Sequence, residues 1–283
     1  MKAKNDKTRT VLITGCSSGI GYDAAHRLRN RDWHVVASCR QEADCERLRE
    51  EGFTSPRLDY ADESSIESTV AATLAATNGR LDALFNNGAF AIPGAIEDVP
   101  RQAMREIFET NFFGYHDLTC RILPTMRRQG FGRIVNCSSI LGFITLPLRG
   151  PYNATKFALE GLTDTLRLEL RQTGIHVVLI EPGPITTRIR ENSRPHFEKW
   201  VNWKQSPYLD HYREKLIPHL SATQPPKVPF ELPPEAVTRK LIHALESPHP
   251  KPRYLVTTPT YIAAILKRVL PATAVNRLFA RAV

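Results

Sequence analysis

The feature that most constrains the fold is a glycine-rich segment directly after the first apolar run of the chain. Residues 10–14 read TVLIT and predict a short buried strand, whereas residues 14–21 read TGCSSGIG and lead into a stretch of helical character. Glycine lets the backbone approach a ligand closely, and a helix N-terminus offers free N–H groups and the positive end of its dipole. Strand, turn and helix in this order predict a βα unit whose turn can bind a pyrophosphate.

Strand-like and helix-like segments alternate from residue 9 to residue 181, which predicts an α/β fold. Further strands are expected at 33–39, 57–60, 81–87, 133–139, 175–182 and 253–258, and helices at 42–51, 62–78, 101–129, 152–173 and 235–246. Continuously apolar strands separated by helices of about ten or more residues indicate a parallel sheet that is covered on both faces. Right-handed crossovers then give a doubly wound, Rossmann-type sheet of about seven strands.

The glycine segment is spaced GxxxGxG rather than GxGxxG, the better-known dinucleotide fingerprint. A turn whose glycines serve only the path of the chain is therefore the alternative interpretation. Its position at the first βα turn of an alternating chain favours dinucleotide binding.

The whole chain, 1–283, is expected to form a single domain with three consecutive parts. Residues 9–190 carry the alternating pattern and form the core. Residues 191–232 are rich in aromatic, charged and proline residues, and they predict a helical lid with one or two short helices over the site. Residues 233–283 add a helix, the last strand and an amphipathic, basic C-terminal helix broken at Pro271.

Charge and cysteine content narrow the class of protein. The formal net charge is +9, but the basic residues are spread along the chain without interleaved aromatics, so no nucleic-acid partner is expected. The five cysteines are scattered without a CxxC spacing, which argues against disulfides and a metal site and indicates a reducing compartment. No signal-peptide pattern or apolar run near about 18 residues occurs, so we expect a cytoplasmic protein.

The C-terminal helix is the segment through which this chain could meet a membrane surface. Its basic residues could contact anionic headgroups while its apolar residues pack down. The residues concerned are Lys267, Arg268, Arg277 and Arg281, and Ile262, Ile265, Leu266, Val269 and Leu270. Packing on the chain's own domain or on a neighbouring subunit is the favoured interpretation, and peripheral membrane contact is the alternative.

A second informative segment is PYNATKF at residues 151–157. Tyr152 and Lys156 lie four residues apart, so in a helix they share one face. Such a pair also arises by chance on a solvated surface. The pair therefore indicates chemistry only when other motifs accompany it.

Together with those motifs, the chain resembles the short-chain dehydrogenase/reductase family. TGCSSGIG matches the family's TGxxxGxG and EPGPITT its PGxIxT, while NFFG, SSILG and YNATK carry Asn111, Ser139, Tyr152 and Lys156. The motifs follow the family order over about residues 9–190, and the interval of 13 residues from Ser139 to Tyr152 is the family's. Ser138 is the rival to Ser139, but it has a different interval and faces the other side of the strand. The chain most resembles bacterial aldehyde reductases, and next the vertebrate 17β-hydroxysteroid and retinol dehydrogenases.

The resemblance implies that the protein transfers a hydride between a nicotinamide cofactor and a carbonyl or alcohol. Tyr152 would exchange a proton with the substrate oxygen, and the Lys156 ammonium and an oxidised nicotinamide would favour its phenolate. Ser139 would hydrogen-bond the same oxygen and orient it. Lys156 would also hold the nicotinamide ribose, and Asn111 would anchor a water of the proton relay.

The resemblance also assigns a set of residues to the dinucleotide. They are Gly15, Ser17, Ser18, Gly19, Ile20, Gly21, Arg40, Asp59, Tyr60, Asn87, Gly88, Tyr152, Lys156, Pro182, Gly183, Ile185 and Thr187. Asp59 and Tyr60 fall where the family contacts adenine. Residues 86–89 read NNGA where the family usually has NNAG, which leaves the geometry near the adenine ribose open.

Cofactor choice is expected to depend on the end of the second strand. NAD-using members of the family place an aspartate where this chain has Cys39. Cys39 cannot repel a 2′-phosphate, and Arg40 could pair with it. We therefore expect NADP(H) to be preferred, with NAD(H) as the alternative cofactor.

The lid predicts a lipophilic substrate. Its aromatic residues are expected to line an apolar pocket together with two phenylalanines after the fourth and fifth strands. These residues are Phe197, Trp200, Trp203, Tyr208, Tyr212 and Phe230, with Phe90 and Phe143. Packing of the lid to the body by the same aromatics is the alternative.

Three classes of function remain after these observations. The leading one is reduction of lipophilic aldehydes or ketones, with a hydroxysteroid or retinol-type alcohol dehydrogenase as the alternative enzyme. A non-catalytic dinucleotide sensor and a membrane-surface scaffold are the alternatives of another class. The resemblance further implies a homodimer or homotetramer joined through helices 101–129 and 152–173.

Overall fold

The computed structural model of the chain describes residues 8–222 and 228–280. Its strands are β1 (Arg9–Thr14), β2 (Trp33–Ser38), β3 (Ala83–Asn86), β4 (Gly132–Cys137), β5 (Ile175–Pro182) and β6 (Arg253–Val256). They form one sheet in the order β2-β1-β3-β4-β5-β6, and every neighbouring pair is parallel. This order confirms the predicted doubly wound parallel sheet.

Helices cover both faces of the sheet because the strands alternate between two apolar cores. Val11 and Ile13 of β1 pack in a cluster with Leu28 and Leu241, whereas Leu12 packs on the opposite side. The helices are α1 (Gly19–Arg29), α2 (Glu42–Glu50), α3 (Glu63–Ala76), α4 (Arg101–Phe108), α5 (Gly114–Gln129), α6 (Gly150–Glu169), α7 (Ile189–Trp200), α8 (Leu209–His211), α9 (Ile217–Ser221), α10 (Glu235–Glu246), α11 (Thr258–Val269) and α12 (Ala272–Phe279). The strands between them are almost fully buried, as a two-sided parallel sheet requires.

The described residues contain six strands rather than about seven, because the predicted strand at 57–60 is wrong. Only one isolated bridge, between Cys39 and Arg57, forms in this segment. The carbonyl oxygen of Arg57 instead accepts a hydrogen bond from the Thr69 hydroxyl of α3 at 2.8 Å. The Thr69 hydroxyl therefore occupies the carbonyl oxygen of Arg57, which would have to accept a backbone N–H if this segment were a strand.

The long helix predicted at 101–129 is interrupted by one wide turn. A π-helical segment, Glu109–Phe113, lies between α4 and α5 and contains Asn111. Such turns are rare and often occur at functional sites. The sequence pattern predicted the length of this helical stretch but not the turn inside it.

The lid has more helix than the one or two short helices that were predicted. Its described part contains α7, α8, α9 and a π-helical turn at Tyr212–Leu216. Glu106 of α4 fixes α7 by accepting hydrogen bonds from Lys199 at 2.5 Å and from Trp200 Nε1 at 3.1 Å. Asp98 fixes the following segment by accepting a hydrogen bond from the Tyr212 hydroxyl at 2.6 Å.

The C-terminal helix is broken at Pro271 as predicted, and α12 begins directly after that residue. The apolar residues that were expected to pack down are largely exposed, since Ile265 and Val269 keep 62% and 69% of their surface accessible. Thr260 and Ala263 are the buried residues of α11. No helix in the described ranges is both long and apolar enough to cross a membrane. Peripheral membrane contact stays a prediction, and Arg281 lies outside the described residues.

Candidate active site

A cavity of about 500 Å³ opens at the carboxyl ends of four strands of the sheet. It is lined by residues that follow β1, β3, β4 and β5. The strand order turns at β1, which has β2 on one side and β3 on the other. The crevice at such a switch point is the usual ligand site of an open parallel sheet.

The turn after β1 is built so closely that side chains could not replace its glycines. A Cβ atom at Gly21 would lie 2.3 Å from the carbonyl oxygen of Gly15, and one at Gly15 would lie 2.6 Å from the Cα of Gly88. Gly15 and Gly19 have φ angles of +68° and +59°, a region that L side chains rarely adopt. Ser18 and Gly19 line the cavity where α1 begins. This cradle of backbone N–H groups fits the pyrophosphate of a dinucleotide.

Thr14, the last residue of β1, holds the loop after β3 beside this cradle. Its hydroxyl accepts a hydrogen bond from the backbone N–H of Asn87 at 2.8 Å, and its carbonyl oxygen accepts one from Asn87 Nδ2 at 3.1 Å. Gly88 takes the place of the family's usual alanine. A Cβ atom there would lie 3.4 Å from Gly15, an ordinary contact distance. The exchanged order of glycine and alanine therefore leaves space beside Gly15, and the hydrogen bonds between Asn87 and Thr14 still hold the loop.

Ser139, Tyr152 and Lys156 come together at the cavity from the end of β4 and the first turns of α6. Ser139 lies beside the phenol of Tyr152, and its Oγ accepts the backbone N–H of Leu141 at 3.1 Å. Lys156 is 1% exposed, and its Nζ donates to the carbonyl oxygen of Cys137 at 2.7 Å. The hydroxyl of Ser138 is buried without a hydrogen-bond partner in the described structure. Ser139 rather than Ser138 therefore faces the phenol.

Burial determines the protonation of the Tyr152–Lys156 pair. It raises the pKa of the Tyr152 phenol above its ordinary value, although the Ser139 hydrogen bond opposes this shift. Burial also lowers the pKa of Lys156 to about 8, against the attraction of Glu160. Lys156 Nζ lies 5.5 Å from the Tyr152 ring centre and donates to a backbone carbonyl, and stabilisation of a Tyr152 phenolate by Lys156 and an oxidised nicotinamide stays a prediction. The raised pKa favours the protonated phenol, which is the form that can give a proton to a carbonyl oxygen.

Asn111 lies behind these residues and does not line the cavity. Its Nδ2 donates to the carbonyl oxygen of Phe90 at 2.8 Å, and its Oδ1 accepts the backbone N–H of the same residue at 3.2 Å. The side chain is completely buried. Asn111 therefore fixes the loop after β3 against the π-helical turn that contains it.

Most of the predicted dinucleotide residues line the cavity, but a group at the predicted adenine end does not. Arg40 is exposed at the end of β2. Asp59 accepts the backbone N–H of Ala61 within its own turn at 3.1 Å. Tyr60 is 7% exposed, and its hydroxyl donates to Asn86 Oδ1 at 2.8 Å, so its ring belongs to the core beneath the sheet. Tyr60 stands two residues after the apolar Leu58, but this spacing in the sequence did not predict that the Tyr60 side chain is buried.

The prediction that lid aromatics line the substrate pocket is wrong, since none of them lines the cavity in the described ranges. The alternative, packing of the lid to the body, holds for most of them, but Tyr208 and Phe230 are 44% and 62% exposed. Phe197 and Tyr212 are almost fully buried in a cluster that attaches the lid to the body, and Phe90 stacks on His196 at 4.0 Å. The cavity wall beyond Tyr152 is aliphatic instead. Its apolar members are Ile140, Leu141, Leu146, Ile189, Leu220 and Val228. The pocket is still apolar, but branched aliphatic side chains form it.

Sequence reasoning missed four basic residues that line the cavity, Arg188 and the three considered next. Arg149, Arg190 and His219 line the cavity beside the aliphatic residues. Arg190 follows the EPGPITT motif closely and Arg149 precedes Tyr152 by three residues, so their positions next to motifs were the available signal. His219 carried no such signal, because α9 is brought to the cavity only by the folding of the lid.

A buried charged group lies behind Lys156. Glu160 follows Lys156 by one helical turn, and Arg253 of β6 forms ion pairs with Glu160 and Glu181 and with Asp164 at 2.5 Å. Burial raises the pKa of Glu181 to about 8, and repulsion by Glu160 adds to the shift. The positive charge of Arg253 opposes this shift, because it favours the ionised form of Glu181.

A glycine cradle at the switch point of a doubly wound sheet, beside a buried tyrosine and lysine, defines a dinucleotide-dependent oxidoreductase. Residues 9–198 match the short chain dehydrogenase family, and the chain belongs to that family. It is accordingly an oxidoreductase that acts on alcohol or carbonyl groups.

Relatives extend over the rest of the chain. An uncharacterized oxidoreductase, YbbO, of Escherichia coli strain K12 is 43% identical over 272 residues, which covers 95% of this chain and 93% of the relative. Human retinol dehydrogenase 8 is 38% identical over 189 residues, covering 63% of this chain and 60% of that protein. The crystal structure of a short-chain dehydrogenase from Streptomyces avermitilis has a TM-score of 0.76 at 28% identity, over 97% of this chain and 96% of that one.

Proposed function

We propose that the protein reduces lipophilic aldehydes or ketones with NADPH. The observation that carries this proposal is the meeting of Ser139, Tyr152 and Lys156 in one cavity that also holds the glycine cradle. The aliphatic wall beyond Tyr152 supports a lipophilic substrate. Loss of NADPH absorbance during incubation with a mixed panel of aldehydes tests the proposal, and no loss with any member would refute it.

The chain's own residues would orient the substrate and move its proton. When bound, the dinucleotide supplies the hydride. Ser139 would donate a hydrogen bond to the substrate carbonyl oxygen, and Tyr152 would give its phenolic proton to that oxygen as negative charge develops there. Lys156 would stabilise the phenolate left on Tyr152 by its nearby positive charge and would hold the nicotinamide ribose. Asn111 would act by positioning the loop after β3 and by anchoring a water of the proton relay.

A hydroxysteroid or retinol-type alcohol dehydrogenase is the second candidate. The similarity to human retinol dehydrogenase 8 and the aliphatic wall both support it. Incubation of the protein with NADP+ and all-trans-retinol or a 17β-hydroxysteroid would distinguish the two, because formation of reduced nicotinamide at rates above those of aldehyde reduction favours the dehydrogenase. The unbroken set of Asn111, Ser139, Tyr152 and Lys156 argues against a non-catalytic sensor.

The homodimer or homotetramer stays a prediction. Phe113, Phe157 and Leu168 lie in or beside the two long helical stretches and are 48%, 38% and 69% exposed. Exposed apolar residues on these helices are what a contact between subunits would bury.

NADP(H) should be preferred over NAD(H) because of the residues at the end of β2. Cys39 is buried and uncharged, whereas Arg40 is exposed and free to pair with a 2′-phosphate. A charge-assisted hydrogen bond of about 1.5–3 kcal/mol gives at least about tenfold discrimination. We expect kcat/KM to be at least about tenfold higher with NADPH, and the double substitution Cys39→Asp, Arg40→Leu to reverse the order.

The matched control for this prediction is Arg57→Leu. Arg57 is a neighbouring exposed arginine whose Nε donates to the backbone carbonyl of Arg40 at 3.1 Å. Its loss removes the same charge from the same edge of the sheet and should leave the cofactor preference in place. Equal kcat/KM for the two cofactors in the wild type would contradict the assignment of Arg40.

Chain length should govern the turnover of straight-chain aldehydes. Each methylene that packs on the aliphatic wall adds up to about 0.8 kcal/mol to transition-state binding. We expect kcat/KM to rise severalfold over roughly two to four carbons and then to level once the wall is covered. Steady-state kinetics with a homologous series, with a polyhydroxylated aldehyde as control, measures this; a flat series or faster turnover of the control would exclude a lipophilic substrate.

A further inference from the structure

The cavity carries an excess of positive charge. Arg149, Lys156, Arg188 and Arg190 line it, and none of the lining residues in the described ranges is an aspartate or glutamate. Arg188 pairs with Glu191 at 3.1 Å, whereas Lys156 and Arg190 each donate to a backbone carbonyl oxygen. Arg149 and Arg190 form no ion pair with any residue that the structure describes.

Arg149 lies on the substrate side of the cavity. It directly precedes α6 and stands three residues before Tyr152, in the loop that also contributes Leu146 to the aliphatic wall. Arg149 is half-buried, and this burial lowers the pKa of its guanidinium. Its side-chain hydrogen bond within the described structure is a long one, 3.5 Å to the carbonyl oxygen of Leu148. The segment 223–227, which joins the two described ranges, reads TQPPK and contains no acidic residue.

Arg190 and His219 complete a cluster with Arg149. Arg190 Nη1 donates to the backbone carbonyl of His219 at 2.5 Å, which fixes the start of α7 against α9. Burial lowers the pKa of the His219 imidazole, and both guanidiniums lower it further, so the three side chains share one region. A half-buried guanidinium without a carboxylate is costly unless an anion comes to it.

We propose that Arg149, Arg190 and His219 bind an acidic group of the substrate, so that the substrate is a lipophilic carbonyl compound carrying a carboxylate or a similar anion. This inference rests on the proposed function, which it makes more specific. A guanidinium presents parallel N–H donors that match the two oxygens of a carboxylate. The aliphatic residues beside the cluster would pack on the hydrocarbon part of the same molecule.

Two of the three side chains of the cluster come from segments that carry no dinucleotide motif. Arg149 belongs to the loop before α6 and His219 to the lid, whereas Arg190 follows the EPGPITT segment by three residues. A substrate group, rather than a cofactor phosphate, is therefore the expected occupant.

Direct binding of octanoate tests the anion site without requiring turnover. Octanamide is its matched neutral control, because it has the same chain and nearly the same shape. We expect calorimetric titration of the wild type, with and without saturating NADP+, to give at least about tenfold tighter binding of octanoate than of octanamide. Arg149→Met should bring the two dissociation constants to within about threefold, whereas Arg127→Met, at an exposed site near the end of α5, should keep the difference.

Turnover then tests whether the anion is part of the substrate. The three isomers of formylbenzoate are compared with their methyl esters, and for at least one isomer kcat/KM should exceed that of its ester about tenfold or more in the wild type and lose this advantage in Arg149→Met. Equal binding of octanoate and octanamide, or displacement of octanoate by NADP+, would overturn the inference. Arg149-dependent octanoate binding without reduction of any aldehyde supports the anion site and refutes the proposed carbonyl reductase instead.

Discussion

Replacement of Tyr152 by phenylalanine should lower kcat by about 10²–10⁴-fold, the loss of general acid catalysis. Tyr152 is 9% exposed and lies beside Ser139, and burial raises the pKa of its phenol, which favours the protonated form that can give a proton. Phenylalanine keeps the ring and its packing. Binding of NADPH, measured by its fluorescence, should therefore stay within about threefold while turnover, measured by loss of absorbance, falls.

Tyr115 provides a matched control for this substitution. It is a buried tyrosine on α5 whose ring centre also lies 5.5 Å from Lys156 Nζ, and its hydroxyl has no hydrogen-bond partner in the described structure. It does not line the cavity. Tyr115→Phe should keep wild-type turnover and, by removing an unsatisfied buried hydroxyl, should not destabilise the fold. Near-wild-type kcat in Tyr152→Phe, or an equal loss in both variants, would contradict the role of Tyr152.

The sequence predicted the parallel sheet and most of the cavity because both depend on local patterns. Apolar strands and glycine turns follow one another in the order that a doubly wound fold requires, and the carboxyl ends of the strands then lie at one edge. Residues one or two positions after a strand, such as Gly15, Asn87, Ser139 and Gly183, line the cavity for this reason. The fold brought together those predicted side chains that belong to a motif at the end of a strand.

The predictions that failed depend on contacts between distant segments. A tyrosine such as Tyr212 can line a pocket or fill a core, and its residue type does not decide between the two. Its hydroxyl donates a hydrogen bond to the carboxylate of Asp98, which is far away in sequence, and this bond holds Tyr212 in the core. The strand at 57–60 was lost to a threonine on the next helix. His219 reached the cavity through the path of the lid. None of these partners is close enough in sequence to appear in a periodic pattern.

Arg253→Met should destabilise the protein by about 2–4 kcal/mol. Removal of one partner from a buried ion pair costs about 3–5 kcal/mol, and the side chain of Arg253 is 36% exposed, which reduces this figure. Methionine keeps much of the volume but leaves Glu160 and Glu181, whose side chains are only 10% and 1% exposed, without their cation. Urea denaturation of both proteins measures the difference. Arg239→Met, which breaks an exposed pair with Glu235 on α10, is the control and should cost less than about 1 kcal/mol.

The cost of Arg253→Met should also grow with pH. The pKa of Glu181 is raised to about 8, so the folded chain keeps a proton over a range in which the unfolded chain has released it. Stability from this group is therefore present below the ordinary carboxyl pKa of about 4.5 and is lost as pH rises towards 8. Because Arg253 opposes the shift, its removal widens this loss, and the difference from wild type should be larger at pH 8 than at pH 5.

A second substitution separates charge from packing in this cluster. Adding Glu181→Gln to Arg253→Met removes one uncompensated carboxylate without changing its shape, and the double variant should recover part of the lost stability at pH 8. At pH 5 Glu181 already holds its proton, so the recovery there should be smaller. Equal losses at the two pH values with no recovery would mean that Arg253 stabilises the sheet by packing and not by neutralising the carboxylates behind Lys156.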